Sequence, residues 1–134
     1  MTKMRSDIQV YFLIRGFPVS SEELTAELGI QPTYTWNKGD PVRFGKTTYK
    51  DNGWKISSGL DKSSDLETHV KVLLDRIAPF IENFVKVCEK YPPELVCVIY
   101  SYGGDGPAIP FDRKVIRELA ALNASIDIDL YVRD

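Results

Sequence analysis

The sequence has little of the residues from which catalytic and metal sites are built. Its 134 residues include one histidine and two cysteines. A single histidine excludes any site that needs several imidazole ligands, and the spacing of Cys88 and Cys97 fits neither a CxxC redox pair nor a four-ligand zinc site. No GxGxxG, Walker, GxSxG or HExxH motif is present. We therefore expect no metal, no cofactor and no enzymatic activity.

Long apolar runs and a strong charge of one sign are also missing. No segment approaches the ~20 apolar residues of a membrane-spanning helix, and the start of the chain lacks the apolar region of a secretion signal. The formal net charge of -2 provides no positive field to attract nucleic acid. We expect a soluble cytoplasmic protein that binds neither membrane nor nucleic acid, with both cysteines as buried thiols.

The pattern of apolar residues predicts one α+β domain over residues 1–134. Hydrophobic side chains make up 43% of the chain and charged ones 27%, as in typical globular proteins. The apolar pattern predicts strands at 8–15, 47–51, 54–58, 95–102 and 125–133. It predicts helices between Ser20 and Gly29, from 65 to 90 with a break near Ala78 at Pro79, and from 111 to 122.

The resulting order of elements is β-α-β-β-α-β-α-β. Asn52-Gly53 predicts a two-residue hairpin turn between the second and third strands. The strand 95–102 is apolar at nearly every position, which predicts burial on both faces. Since apolar and polar residues alternate strictly in the last strand, one face of the sheet must be exposed to solvent. The sequence therefore predicts a mainly antiparallel sheet with helices on one face, formed by a ferredoxin-like core and an added α-β unit.

Charged side chains mark two of the predicted strands. In the last strand, alternation turns four apolar side chains inward, namely Ile126, Ile128, Leu130 and Val132. Asp127 and Asp129 then share the outer face. The predicted hairpin also places Lys50 opposite Lys55, a destabilising pair of like charges. Either Asp127 and Asp129 neutralise the two lysines, or the lysines face an acidic partner.

His69 is the one side chain suited to acid-base chemistry near neutral pH. It lies at the margin of the apolar side of the long predicted helix, where its ring can pack while its polar tip stays wet. We expect a structural role for it. The alternative is an enzyme that uses His69 with Asp40 or Asp129, although no nucleophile, base and orienting group can be assembled from the spacing.

Residues 32–54 combine aromatic, polar and glycine residues, a mixture typical of binding surfaces. Trp54 is in phase with Ile56 and is expected in the core. Trp36, in the irregular part, suits either a core or a surface role. If these residues form a pocket, Trp36, Asp40 and Trp54 would line it.

Four short motifs resemble those of a bacterial family known as domain of unknown function four-two-seven-nine. They are Leu28-Gly-Ile-Gln-Pro-Thr33, Lys38-Gly-Asp40, Gly53-Trp54 and Asp127-Ile-Asp-Leu-Tyr131. The resemblance covers nearly the whole chain, and its matching positions near the irregular segment are Pro32, Thr33, Gly39, Asp40 and Trp54. It implies no established activity. Similarity to small bacterial proteins of this type suggests an immunity protein, which binds and blocks a toxin produced with it.

Two functions follow as hypotheses. The first is a non-enzymatic protein-binding module, most concretely an immunity-type protein, that uses a charged or aromatic surface. The second is a small-ligand-binding domain with a pocket near the 32–54 segment. An exposed edge strand would also permit a homodimer.

Overall fold

The computed structural model describes residues 5–104 and 106–133. The start of the chain, on which the expectation of no secretion signal rests, lies outside these residues. The described strands are β1 (Arg5–Arg15), β2 (Tyr34–Trp36), β3 (Gly53–Ser57), β4 (Glu94–Tyr102) and β5 (Ser125–Arg133). The described helices are α1 (Ser21–Leu28), α2 (Leu66–Ile77), α3 (Ile81–Lys90) and α4 (Arg113–Ala121), with a 3-10 turn at Ala78–Phe80 between α2 and α3.

The five strands form one mixed sheet in the order β2-β3-β1-β4-β5. The pairs β2/β3, β3/β1 and β1/β4 are antiparallel, and β4/β5 is parallel. The parallel pair needs a crossover connection, which α4 provides. The predicted α+β class is confirmed.

The hydrophobic core lies on one face of the sheet. Its residues from β1 are Ile8, Val10, Phe12 and Ile14, which alternate with half-buried or exposed neighbours. The core residues of β3 and β4 continue the same face, and every α-helix contributes apolar side chains to it. The helices therefore pack on this face, and the opposite face is left open.

The second strand is not where the sequence predicts it. β2 is Tyr34–Trp36, in a segment whose proline and glycine content favours no strand, and residues 47–51 form none. The predicted turn at Asn52-Gly53 is wrong as well. The Asn52 side chain instead accepts the Lys38 N–H at 2.7 Å and donates to two backbone carbonyls of the β1–α1 connection. These bonds fix Asn52 as an anchor between segments, and Gly53 begins β3.

Residues 37–52 join β2 to β3 and are called here the excursion loop. Backbone hydrogen bonds of 2.9 Å join Tyr49 to both Gly39 and Asp40, and Val42 donates to Thr47 at 3.0 Å. The two arms of the loop therefore run side by side, and the residues at its tip are exposed.

The predicted ends and break of the helices are largely confirmed. Ser20 caps α1 by accepting the Glu23 N–H at 3.1 Å, and Gly29 ends it with a left-handed φ of 88°. The break at Pro79 is confirmed as the 3-10 turn, because proline lacks the N–H that an unbroken helix requires. The cap of α2 is Asp65, which accepts the Thr68 N–H at 2.8 Å.

Two predictions of burial are wrong in β4 and β5. In β4 the side chains alternate, and on the open face only Val96 is buried while Val98 and Tyr100 are half-buried. In β5 no described side chain is buried. The apolar residues of β5 do share the core face, since Ile128 pairs with Cys97, but the strand lies at the edge of the sheet and the helices do not cover it.

No helix in the described part of the chain has the length and apolar character needed to cross a membrane. Cys88 and Cys97 are free and buried, as the sequence predicts, and burial raises the pKa of each thiol to about 12. Both side chains therefore act as packing residues and not as nucleophiles.

Candidate functional site

The face of the sheet opposite the helices carries a group of aromatic and charged side chains. Residues paired across neighbouring strands point to the same face, so the register of the sheet defines this surface. It is called here the open sheet face, and its central members are Tyr34, Lys55, Tyr11, Tyr100, Asp127, Asp129 and Tyr131.

A continuous row of rings crosses one half of the open sheet face. Tyr49 of the excursion loop stacks on Trp36 with ring centroids 4.8 Å apart, and Trp36 lies 5.9 Å from Tyr34. The Lys55 ammonium lies 5.5 Å from the Tyr34 centroid and 4.5 Å from that of Tyr11. Each ring therefore contacts a neighbour, and these contacts favour this arrangement of the surface.

Lys55 does not stand opposite Lys50. It pairs with Tyr34 of β2 and Leu13 of β1, whereas Lys50 is exposed in the excursion loop. Partial burial among the rings lowers the pKa of Lys55. No ion pair between described residues joins either lysine to Asp127 or Asp129. The predicted opposition is therefore wrong, and Lys55 lies between the rings of Tyr11 and Tyr34 instead.

The other half of the open sheet face carries the carboxylates of Asp127, Asp129 and Glu94, of which Glu94 is paired with Arg15 at 3.1 Å. Partial removal from water and the neighbouring Asp127 charge raise the pKa of Asp129, with a smaller effect of Glu94. Burial raises the pKa of Tyr11, and Asp129 and Asp127 raise it further. Repulsion among these groups means that a cationic partner group placed here would be stabilised.

Trp54, marked by sequence as a core or pocket residue, is wholly buried. Its indole N–H donates to Thr25 Oγ1 at 3.1 Å, and its ring packs edge-on against Phe84 at 5.8 Å. The expectation of a core role is confirmed, and a ligand from solution cannot contact this side chain.

Asp40, Gly39 and Thr33 hold the backbone around β2. Asp40 Oδ2 accepts the Asn37 N–H at 2.8 Å, and Gly39 adopts a φ of 92°, where glycine is favoured. Thr33 Oγ1 accepts the Ser57 N–H at 2.9 Å. Pro32 borders a shallow cleft between α1 and β2. These residues therefore support the strand that carries the rings of the open sheet face, and they do not together line a pocket in the described structure.

A second concave region lies where β3 ends. This cleft of about 260 Å³ is lined by residues of β1, β3, α2 and the segments before β2 and α2, including Tyr11, Thr33, Lys55, Ser58 and His69. Neither this cleft nor the one beside Pro32 is lined by Trp36, Asp40 or Trp54.

His69 is more deeply buried than its position on the helix predicts, with 1% of its surface exposed. Its Nδ1 lies 2.6 Å from Ser58 Oγ, and Nε2 is buried with no hydrogen-bond partner among the described residues. Ser58 Oγ accepts the Leu60 N–H at 3.2 Å, so its own hydrogen is free to point at Nδ1. Neither Asp40 nor Asp129 hydrogen-bonds His69 in the described structure.

Burial of His69 predicts a loss of stability in mild acid. Burial lowers the pKa of His69 below its ordinary 6.5, so between these values the unfolded chain binds a proton that the folded chain does not. The free energy of unfolding should be fully present above pH 6.5 and should fall as the pH drops through the folded pKa. Urea unfolding at about pH 8 and about pH 5 should show this fall. His69→Gln should reduce the pH dependence, and an equal dependence in both proteins would contradict the assignment.

Sequence reasoning missed Ser58 and underrated two tyrosines, Tyr11 and Tyr100. Nothing in the sequence pairs Ser58 with His69, because the contact depends on how the segment after β3 folds onto α2. Alternation in β1 does place Tyr11 opposite the core residues, and that signal was available. The sequence gives no such signal for Tyr100, because the apolar residues of its strand predict burial on both faces.

Comparison with known proteins identifies the family. The family model described as Domain of unknown function (DUF4279) matches residues 6–133, which is nearly the whole chain. This confirms the resemblance seen in the short motifs. No curated protein and no solved structure matches the chain.

Proposed function

The chain belongs to the DUF4279 family, and on that premise we propose that it is a protein-binding module whose contact surface is the open sheet face. The observation that carries this proposal is the continuous row of stacked and cation-bearing rings from Tyr49 to Tyr11. Tyrosine and tryptophan are enriched at protein interfaces, because they bury much area at little cost in conformational entropy.

The charge distribution on this face suggests the chemistry of the partner. Asp127 and Asp129 repel each other at the end of the face beyond Tyr11, and Asp129 has a raised pKa. A basic segment of a partner would relieve that repulsion while its apolar groups covered the rings. A toxin with a basic surface meets this requirement, and the most concrete form of the proposal is an immunity-type protein that blocks such a toxin.

Loss of two rings tests the proposal. The double variant Tyr34→Ser/Tyr100→Ser removes one ring from each half of the open sheet face. It should weaken binding of the protein captured from the native lysate at least about tenfold, because few central aromatic residues carry most of an interface's binding energy. Isothermal titration with the purified partner measures the change, and a growth assay shows whether protection from a toxin is lost with it.

The matched control lies on the opposite side of the molecule. Ile116→Ser alters an exposed apolar residue of α4, which belongs to the helix layer. The control should bind as the wild type does. Equal affinity of the double variant and the wild type would overturn the assignment of the surface.

A second candidate function is binding of a small ligand in the cleft at the end of β3. It is favoured by the partly desolvated Lys55 and by His69, which both line that cleft. A metabolite detected by native mass spectrometry, and lost in Lys55→Ser, would support this function over the first.

We also propose that β1 to β4 with α1 to α3 form a ferredoxin-like core, to which α4 and β5 are added. The order β2-β3-β1-β4 with antiparallel neighbours supports this assignment. Such a core has helices on one face only, which is what leaves the open sheet face available.

A reducing compartment suits the protein. Two free buried thiols persist without oxidation in the cytoplasm, where disulfides are rare. We therefore place the proposed binding event there. Among the described residues, no group of three or more potential metal ligands is gathered at one point, and the proposal involves no metal.

A further inference from the structure

β5 forms a free edge of the sheet in the described structure. Its nine residues pair with β4 on one side, and no described element pairs with the other side. Four apolar side chains on its core face are exposed, namely Ile126 at 42%, Ile128 at 38%, Leu130 at 49% and Val132 at 68%. The strand contains neither proline nor lysine, which commonly protect an edge against pairing with another chain.

The hydrogen bonds to β4 show which backbone groups are free. The Ser125 N–H donates to the Pro93 carbonyl at 3.0 Å, and the Arg133 carbonyl accepts the Gly103 N–H at 3.1 Å. Odd-numbered residues of β5 therefore direct their backbone groups toward β4. Because the direction alternates along a strand, the even-numbered residues present theirs at the free edge.

The charged side chains of β5 disfavour some of the registers in which the β5 strands of two copies could pair. Two copies related by a two-fold axis form antiparallel strands, in which residues at equal distances from the axis face each other. An axis at Ile128 would place Asp127 opposite Asp129, and an axis at Asp129 would place that carboxylate opposite its own copy. Both arrangements oppose like charges.

An axis at Leu130 removes this conflict. It places Asp127 of each copy opposite Arg133 of the other copy, and Asp129 of each copy opposite Tyr131 of the other. The pairs Leu130/Leu130 and Ile128/Val132 join even-numbered residues, whose backbone groups are the free ones. An axis at Tyr131 would also match charges, but it shortens the paired segment to 129–133.

We propose that the chain forms a homodimer through antiparallel pairing of β5 with β5 of a second copy, centred on Leu130. The occupant of this edge is a second copy because the strand is complementary to itself in both charge and apolar side chains in one register. Pairing joins the two sheets and covers Ile128, Leu130 and Val132 on the core face. The open sheet face then runs across both copies, so a partner that binds it would meet two equivalent sites.

The dimer is tested by sedimentation equilibrium of the full chain over a micromolar concentration series. The wild type should sediment as a dimer. Leu130→Lys should raise the dimer dissociation constant at least about tenfold, because it sets two ammonium groups against each other at the axis. Ile116→Lys, which adds the same charge to an exposed apolar site of α4, should leave the dimer intact.

Charge exchange tests the register. Arg133→Asp alone should weaken the dimer, because it sets an aspartate opposite Asp127, and Asp127→Arg alone should weaken it in the same way. The double variant with both changes should restore the wild-type dissociation constant. A monomeric wild type, or a dimer indifferent to Leu130→Lys, would overturn the proposed dimer. Failure of the double variant to recover would overturn the register.

Circular dichroism of each variant confirms that loss of the dimer is not loss of the fold. The substituted residues are exposed in β5 and on α4, so the spectrum should not change. The inference does not depend on the proposed binding function, since sedimentation of the chain by itself requires no binding partner.

Discussion

Replacement of Trp54 by alanine is expected to lower the free energy of unfolding by about 3–5 kcal/mol, the largest effect of any single change considered for this chain. Trp54 is wholly buried between the sheet and the helices, and its ring contacts Phe84. Alanine would leave a cavity that the surrounding side chains fill only in part. The Thr25 hydroxyl would also lose the hydrogen bond of 3.1 Å that it accepts from the indole N–H.

Urea unfolding followed by circular dichroism measures this loss. Total stabilities of such domains are about 5–15 kcal/mol, so the variant should unfold at a much lower urea concentration. Phe44→Ala is the control, because Phe44 is an aromatic residue of the excursion loop with 91% of its surface exposed. It should stay within about 0.5 kcal/mol of the wild type. Equal losses in the two variants would contradict the core position of Trp54.

Replacement of Gly53 by alanine is expected to cost about 1–3 kcal/mol and to displace Trp36. A β-carbon on Gly53 would overlap the Trp36 indole, at Cε2 and Cζ2, because the ring lies directly over this glycine. Trp36 would have to leave Gly53 and with it the stack on Tyr49 at 4.8 Å. Near-ultraviolet circular dichroism should therefore lose signal from the stacked rings, in addition to the loss of stability.

Gly45→Ala provides the matched control for Gly53→Ala. A β-carbon at Gly45 would meet its nearest atom, the Thr47 hydroxyl, at 3.6 Å, which is ordinary contact. This variant should keep both the stability and the near-ultraviolet spectrum of the wild type. If Gly53→Ala also kept both, Trp36 would not be held over Gly53, and the row of rings on the open sheet face would lose its support.

Local signals in the sequence predicted the helices and most strands. The Ser20 start and the Gly29 end of the first helix and the break at Pro79 depend on a few neighbouring residues, and the structure confirms all three. The α+β class followed from the same patterns, because alternation with a period of two and spacing of three to four residues were both clear.

The second strand could not be predicted locally, since its evidence lies elsewhere in the chain. Asn52-Gly53 has the composition of a hairpin turn, but Asn52 bonds to Lys38 and to the connection after β1, and Gly53 makes room for Trp36. These are contacts between distant residues. Tyr34–Trp36 becomes a strand because β3 is there to pair with it.

The candidate site was found in pieces by sequence and joined by the fold. Trp36, Lys55, Asp127 and Asp129 were each marked, but as members of two separate groups. Strand order brings them onto one face, with Tyr11 between Lys55 and the carboxylates. Only the sheet order β2-β3-β1-β4-β5 shows that the groups are neighbours. The segment 32–54 thus contributes rings and supports for them, and Trp54 belongs to the core.

Hydroxyl-radical footprinting of the complex with the captured partner tests the central claim most directly, because it reads the solvent exposure of individual side chains. Binding at the open sheet face predicts that Tyr34, Tyr100 and Tyr131 lose reactivity when the partner is added, while Phe44 and Ile116 keep theirs. Unchanged reactivity of these tyrosines, together with protection of Phe44 or Ile116, would contradict the claim and place the contact on the excursion loop or the helices.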